Sequence, residues 1–387
     1  MPGRMAAGMP GAGLQQGRPL RNLLSIVRLW LCVLFVLCVS ACAVRPPGTL
    51  EDLDSLPQDA GYYRSGTEEV LIEPERQSRL ARSALARFYE PWDRTSPRHT
   101  AEEVFRGLER YRSRRAYGEN NLPLSSGWLE AMRRQSRVFA YPGAHVPAIT
   151  VVHASMLVLQ TPKPVFHDPP RTVGGFPLDR MQNTLVPAGT PLLITHWSLD
   201  GQWALCETEW AAGWIRWRDV ARVDRAFMAS YRAAPLAGFL EDHVPVLSRC
   251  GRFLMAGRVG MALPLAGDGD KDGQRTVRVP VRDPMGQAGL VDGVVAETAC
   301  RAWPFPATTS VFARVLNALL GQPYGWGGLY ENRDCSALMR DVFAGFGMFL
   351  PRNSKDQGRE GRVVPLEGMK NHEKERMILD RGKPFLT

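Results

Sequence analysis

Between Pro191 and Trp210 the chain reads PLLITHWSLDGQWALCETEW. Two strand-like runs meet at Asp200-Gly201, a strong two-residue hairpin signal. The stretch AAGWIRWRDVARV then adds a further strand and a short turn. Such a pattern cannot sit still as a helix. A second β-rich unit runs from about Ala233 to Val295, through RVGMALPLAG, TVRVPVRD and QAGLVDGVV. Short strands at this spacing, cut by Gly, Pro and Asp, predict two small barrels. The 37 glycines and 30 prolines fit many turns.

Helical texture brackets these units. RQSRLARSALARFYEPW carries Leu80, Ala84 and Phe88 at spacings of four, and Pro91 is expected to end the helix. Thr100-Ala-Glu-Glu103 reads as a capping box, with Val104, Leu108 and Tyr111 on one stripe behind it. SSGWLEAMRRQS, from Ser125, opens a third helix. Beyond Thr308 a further helix places Val311, Val315 and Leu319 on one face, and Gly321 and Pro323 stop it. The expected domains are residues 76–146, helical; 147–225 and 226–305, the two barrels; and 306–387, a mixed α and β unit.

The N-terminal end carries a targeting pattern. Arg18, Arg21 and Arg28 precede an apolar run, Leu29–Ala41, too short for a comfortable membrane span of about 20 residues. It ends Val39-Ser40-Ala41-Cys42. This is similar to a bacterial lipobox, which implies residues 1–42 as a lipoprotein signal, lipidation at Cys42 and a tether over 43–75. A plain secretory signal or an uncleaved anchor is the alternative. Ala43 in place of Asp implies outer-membrane sorting and a periplasm-facing location in the cell envelope.

The net charge of +9 suits an anionic partner, but no basic run with interleaved aromatics and no nucleic-acid motif accompanies it. The cysteine spacings match neither a zinc pattern nor CxxC. Cys250 and Cys300 are one possible pair, and Cys206 in its strand reads as a buried apolar thiol. Asp268-Gly-Asp-Lys-Asp272-Gly273 begins like a calcium loop, but Val279 stands where a bidentate Glu is wanted. A turn is the better reading. No metal and no cofactor is expected.

The chemistry concentrates at PYGWGGLYENRDCSALMRD, Pro323 to Asp341. Asp334 is placed to cap a helix whose first turn holds Cys335. A thiolate at a helix N-terminus is favoured by the local partial positive charge, and free backbone N–H groups there can hold an oxyanion. A buried structural cysteine is the competing reading.

PYGWGG, DCSALMRDVF and LPRNSKDQ, in that order, resemble the NlpC-type papain-like cysteine peptidases of bacterial cell walls. FPLDRMQNTLVPAGTPLLITHWSLDGQWALCETEWAAGWIRWRDVA resembles the bacterial SH3 domains joined to one branch of them. The resemblance implies a multidomain α+β protein with a helical N-terminal domain, two SH3-like barrels and an incomplete papain-like catalytic domain. It implies a peptidase that cuts between γ-linked D-glutamate and a diamino acid in peptidoglycan stem peptides with a free N-terminal L-alanine. Cys335 would be the nucleophile. Asp334 and Ser336 would hold the free amine, Tyr324 would serve the oxyanion or amine, and Trp326 and Ser354 would line the γ-D-glutamate pocket. The stretch His196–Trp210 is the expected barrel contact to substrate.

The family's histidine lies on a strand about 50 residues beyond the cysteine. Here only His372 follows Cys335, in a polar helix start. The expectation is therefore a catalytic domain cut short, inactive as written, with Leu338, Val342 and Phe343 uncovered. The alternative is a non-catalytic lipoprotein that binds wall peptides through its barrels.

Overall fold

The computed structural model describes residues 56–64, 66–113, 115–167, 175–267, 273–361 and 363–381. The Leu29–Ala41 run, Cys42 and Asp268–Asp272 lie outside the described residues. The chain divides at Pro57, and everything below belongs to the unit Gln58–Thr387.

The first helix, α1 (Pro74–Asp93), starts with proline at its first position, where the missing N–H costs nothing. It runs two residues past Pro91 instead of ending there, because a proline in the last turn breaks only a bond near the frayed end. Its buried face is Gln77, Ala81, Tyr89 and Trp92, offset by a residue from the Leu80–Ala84–Phe88 stripe. The offset has a polar cause. Gln77 donates to the carbonyls of Phe305 (2.6 Å) and Phe346 (3.0 Å) and accepts from the Ala307 N–H. An apolar period cannot register a glutamine at a core position. At the other end the Trp92 indole donates to the Ala148 carbonyl at 2.7 Å. One helix thus bolts the C-terminal unit to the first barrel.

Thr100 and Glu103 form the expected capping box on α2 (Ala101–Val104), and the chain breaks at Phe105 before α3 (Arg106–Ser113). Ser125 caps α4 (Ser126–Ser136). These helices cover one face of a seven-stranded antiparallel sheet of order β3-β2-β6-β5-β4-β1-β7. Its strands are β1 (Val146–Thr150), β2 (Ala154–Leu157), β3 (Gln182–Val186), β4 (Pro191–Trp197), β5 (Trp203–Glu207), β6 (Ala212–Arg216) and β7 (Val220–Arg222). Alternation along β5 shows the two sides. Trp203 and Leu205 pack toward Phe105 and Leu108, while Ala204 and Cys206 enter the barrel with Met156, Ile194 and Ile215. Cys206 is fully buried, and burial pushes its thiol up, as an apolar role requires. The hairpin falls at Asp200-Gly201, with Gly201 at φ +66°.

After α5 (Arg225–Ala233) the second β unit splits into two sheets around one core. β10-β9-β13-β12 form one sheet and β11-β8-β14 the other. The strands are β8 (Leu236–Phe239), β9 (Val244–Ser248), β10 (Phe253–Gly257), β11 (Ala262–Pro264), β12 (Gln274–Arg282), β13 (Ala288–Ala296) and β14 (Cys300–Ala302). Cys250 and Cys300 form no disulfide; Cys250 is exposed and Cys300 buried. Within the stretch read as tether, Leu71 donates to the Ala307 carbonyl and Ala60 to the Asn317 side chain (2.8 Å), so these residues lie on the C-terminal unit.

That unit holds α6 (Thr309–Asn317), α7 (Cys335–Gly345), α8 (Ser354–Gln357) and α9 (Asn371–Arg381). Val311, Val315 and Leu319 are buried as expected, and they cover α7. Val342 is only 3% exposed, and Leu338 and Phe343 are half-buried, against the expectation that all three stand uncovered. Val342 shares a core with Phe305, Val315 and Phe346, and Phe343 meets Phe312 edge to face. The cover comes from α6 and the segment ahead of it.

The second barrel docks through charge. Arg333 reaches Asp242 (2.5 Å), Asp341 (2.8 Å) and the Val259 carbonyl (2.9 Å), and Arg258 reaches the Glu331 carbonyl. Burial raises the Asp242 carboxyl, but Arg333 overcomes it and brings it to about 2. Burial likewise opposes the Asp341 charge, and Arg340, Arg333 and Arg258 hold that carboxyl below its usual range. Both groups are lowered in the folded state. Their stability contribution is present above the unfolded carboxylate value of about 3.9 and is lost as pH falls through the folded values. Denaturant titrations comparing the chain with Arg333→Met should show a stability difference that is flat from neutrality to about pH 4 and shrinks steadily toward about pH 2. Arg333→Met should cost about 3–5 kcal/mol at pH 6, the usual result of orphaning a buried ion.

Candidate active site

Asp334 lies at the centre of the site. Its carboxylate accepts five hydrogen bonds: from the Ala337 N–H (2.9 Å), the Gly327 N–H (3.1 Å), the Ser336 hydroxyl (3.1 Å) and twice from Arg352 (2.6 and 3.1 Å). The first caps α7, the second ties down the glycine loop. Burial raises this carboxyl, and Arg352 holds it below the usual range, so it is an anion at neutral pH. Ser336 is buried and also accepts from Arg352 at 2.9 Å. Five donors fill the roughly four acceptor sites of a carboxylate. Asp334 therefore positions its surroundings first, and any cationic group of a ligand meets its charge at longer range.

Cys335 opens α7 and its side chain is exposed. The first-turn N–H groups of Cys335 and Ser336 have no intrahelical acceptor, as at every helix start. Tyr324 is 55% exposed, and burial, then the charges of Asp334 and Cys335, hold its hydroxyl above the usual range. Tyr324 thus lies within electrostatic reach of Asp334 and Cys335. Trp326 begins the 3-10 stretch Trp326–Glu331, and the Arg180 guanidinium lies 4.4 Å over its ring.

Ser354 opens α8 and is exposed, with no side-chain hydrogen bond among the described residues. The working residues of its motif are neighbours. Gln357 donates to the Ser336 and Pro351 carbonyls, both at 2.8 Å. Arg352 additionally donates to the Thr184 hydroxyl (2.8 Å) and the Asn183 carbonyl (3.2 Å). Sequence reasoning assigned neither role. The available signal was an arginine beside an apolar L-P pair, where an ion must find a buried partner.

Thr184 and Asn183 belong to β3, so β3 is the barrel strand that meets the site, in place of the expected His196–Trp210 stretch. β3 is an edge strand, free to pair outward, whereas β4 and β5 are interior. His196 is fully buried, and its Nε2 meets the Ser136 carbonyl at 3.0 Å among aromatic rings. Backbone approach is close here. A Cβ on Gly327 would lie 2.6 Å from the Gln182 carbonyl oxygen, and one on Gly328 would lie 2.6 Å from the Leu185 nitrogen. Both glycines have positive φ, +60° and +87°. His372 is exposed on α9, and among the described residues no side chain hydrogen-bonds to the Cys335 thiol. Among them there is also no cluster of three or more metal-ligating side chains, and no helix long and apolar enough to cross a membrane.

Four family models match the chain in order: an NLPC_P60 N-terminal stabilising domain over residues 29–141, an SH3 domain of SH3b1 type over 164–216, an SH3 domain of SH3b2 type over 224–269, and the NlpC/P60 family over 321–379. Residues 321–379 of the chain thus carry the match to the NlpC/P60 family. A gamma-D-glutamyl-L-lysine dipeptidyl-peptidase of Bacillus subtilis is 44% identical over 52 residues, 13% of this chain and 18% of that protein. The matched part thus spans under a fifth of that relative. The solved NlpC/P60 endopeptidase of Photobacterium damselae subsp. piscicida shares the fold, with TM-score 0.75 at 22% identity over 85% of this chain and 75% of that one. An NlpC/P60 family protein of Bacillus cereus overlaps at TM-score 0.40 and 17% identity, over 58% of this chain and 80% of that one.

The β3 contact is testable. Gly328→Ala should force β3 away from the glycine loop and lower the Tm by several degrees, about 1–3 kcal/mol. A control, Gly321→Ala, also has positive φ (+75°) but meets nothing within 4 Å, so it should cost only its backbone strain. Equal losses in the two variants would show that the contact contributes nothing.

Proposed function

We propose that this chain is a cysteine endopeptidase of peptidoglycan stem peptides, cutting between γ-D-glutamate and the following diamino acid when L-alanine is N-terminal and free. The observation that carries the reading is an exposed Cys335 at the start of a capped helix, inside an NlpC/P60 domain walled by an SH3-type strand. The matched stretch of a relative named for γ-D-glutamyl-L-lysine points to the same bond.

The Cys335 thiolate attacks the γ-carbonyl carbon. The oxyanion takes the Cys335 and Ser336 N–H groups, with Tyr324 beside it. The C–N bond then breaks, the diamino acid leaves with a proton on its amine, and water releases the acyl group from sulfur. Trp326 and Ser354 border the glutamyl side. Asp334 supplies charge toward the free amine, Ser336 offers it a hydroxyl oxygen, and Arg352 fixes both. On this reading Cys42, at the end of the lipobox-like run, is lipidated and holds the chain at the envelope, facing the periplasm from the outer membrane.

A second reading is favoured by one observation: no imidazole meets Cys335 among the described residues. On that reading the cleft binds wall peptides through barrel and loop without turnover. The base is needed for both proton transfers, so hydrolysis by the 387-residue chain should run several powers of ten below a complete thiol–imidazole pair.

Incubating the chain and Cys335→Ala with L-Ala-γ-D-Glu-diamino acid tripeptide, with calorimetric binding alongside, separates these. Slow release of the diamino acid, lost in Cys335→Ala while binding persists, supports the enzyme. Binding by both proteins with no release supports the second reading. No binding by either sinks both, and turnover near an ordinary ~10 per second would refute the base argument alone.

A further inference from the structure

A second cavity lies behind the nucleophile helix. It has about 100 Å3 of free space, several times the roughly 10–15 Å3 that one water needs on this measure. Every domain contributes to it: Leu85 and Phe88 from α1, Trp210 from the first barrel, Leu236 and Met261 from the second, and Ala344 from α7. The walls are largely apolar. Among the polar groups that break them are Arg340 and Trp210, with the guanidinium 4.2 Å over the indole ring.

Both carry an unused donor. Arg340 Nε and Trp210 Nε1 are buried and have no hydrogen-bond partner among the described residues. Each unmet buried donor of this kind is costly, and more so on an ion. Charge points the same way. The buried cluster at this junction holds Arg258, Arg333 and Arg340 against Asp242 and Asp341, three positive side chains and two negative, none more than 10% exposed. It is one negative charge short. The nearby carboxylates do not supply it. Glu209, also in the cavity wall, is held by Arg87 (3.2 Å) and Arg98 (3.0 Å), Asp334 is held by Arg352, and Glu331, exposed to solvent, offers Arg258 its carbonyl and acts by charge on Arg258 rather than on Arg340. Burial and the neighbouring Arg352 press the Arg340 guanidinium below the usual arginine range, the mark of a cation without enough counter-charge.

We propose that this cavity is a binding site for a small organic carboxylate with an apolar body, its two oxygens accepting from Arg340 Nε and Trp210 Nε1. An inorganic anion satisfies the charge but leaves the apolar walls empty. A neutral apolar molecule fills the walls but leaves both donors unmet. The site is separate from Cys335 and stands whether or not the chain hydrolyses peptides.

The test titrates the full 387-residue chain with sodium benzoate by calorimetry, against sodium chloride at equal ionic strength. Crystals soaked in 4-bromobenzoate locate the ligand by bromine anomalous scattering. Saturable benzoate binding is expected, with the bromine peak between Arg340 and Leu236. Arg340→Met should weaken binding at least tenfold and, because it leaves two positive and two negative side chains, should not unfold the protein. Ala344→Phe, which fills the space without touching charge, should abolish it. Cys335→Ala should bind as the parent does. Failure of benzoate to bind, unchanged binding in Ala344→Phe, a bromine peak only at the Cys335 cleft, or chloride competing as well as benzoate would each overturn the proposal.

Discussion

The guanidinium of Arg352 joins three pieces of chain that are far apart in sequence. It pairs with Asp334 at the head of α7, bonds Ser336 one residue past Cys335, and donates to Thr184 and Asn183 on β3. Arginine is suited to this because its donors fan out in a fixed plane and its charge does not titrate. Without it, Asp334 would be a buried anion with two backbone N–H groups and one hydroxyl but no counter-charge, and the barrel would lose its polar grip on the site. The glycine loop depends on the same group at one remove, since Gly327 donates to the carboxylate that Arg352 holds.

Domain docking here uses buried ions alongside apolar packing. The Arg333 cluster ties the second barrel to α7, and Gln77 of α1 spans the segments on either side of it with three hydrogen bonds. Such contacts are poor sources of net stability against an apolar alternative, but they tolerate one geometry only. That property matters where a cleft is walled by two domains. A slip of one strand would carry β3 off the glycine loop and take Thr184 out of reach of Arg352.

The same logic gives the junction cavity its character. α7 presents Cys335 and Ser336 at one end and Arg340 and Ala344 along its length. The front of the helix meets solvent, while the back meets a partly apolar space with a guanidinium that keeps one donor unpaired. Occupancy of the back by a carboxylate would add a counter-charge to the cluster that holds α7 against the second barrel.

Much of this was legible in the chain itself. Alternating strands, the Asp200-Gly201 hairpin, the Thr100–Glu103 capping box and the Asp334 cap are local, and local backbone preferences fix them. The Cys335 position follows from the same cap. What the sequence could not supply was partnership across domains. The buried face of α1 turned on Gln77, whose value exists only because two carbonyls and an N–H arrive from residues 305–346. The barrel contact fell on β3 because β3 lies at the sheet edge, which strand order decides and periodicity does not. Leu338, Val342 and Phe343 looked uncovered because the cover comes from α6 and its lead-in, not from the chain beyond. Sequence determined the elements and the chemistry at their ends; tertiary structure decided which buried charges and polar groups met, since those interactions depend on distances that no local pattern encodes.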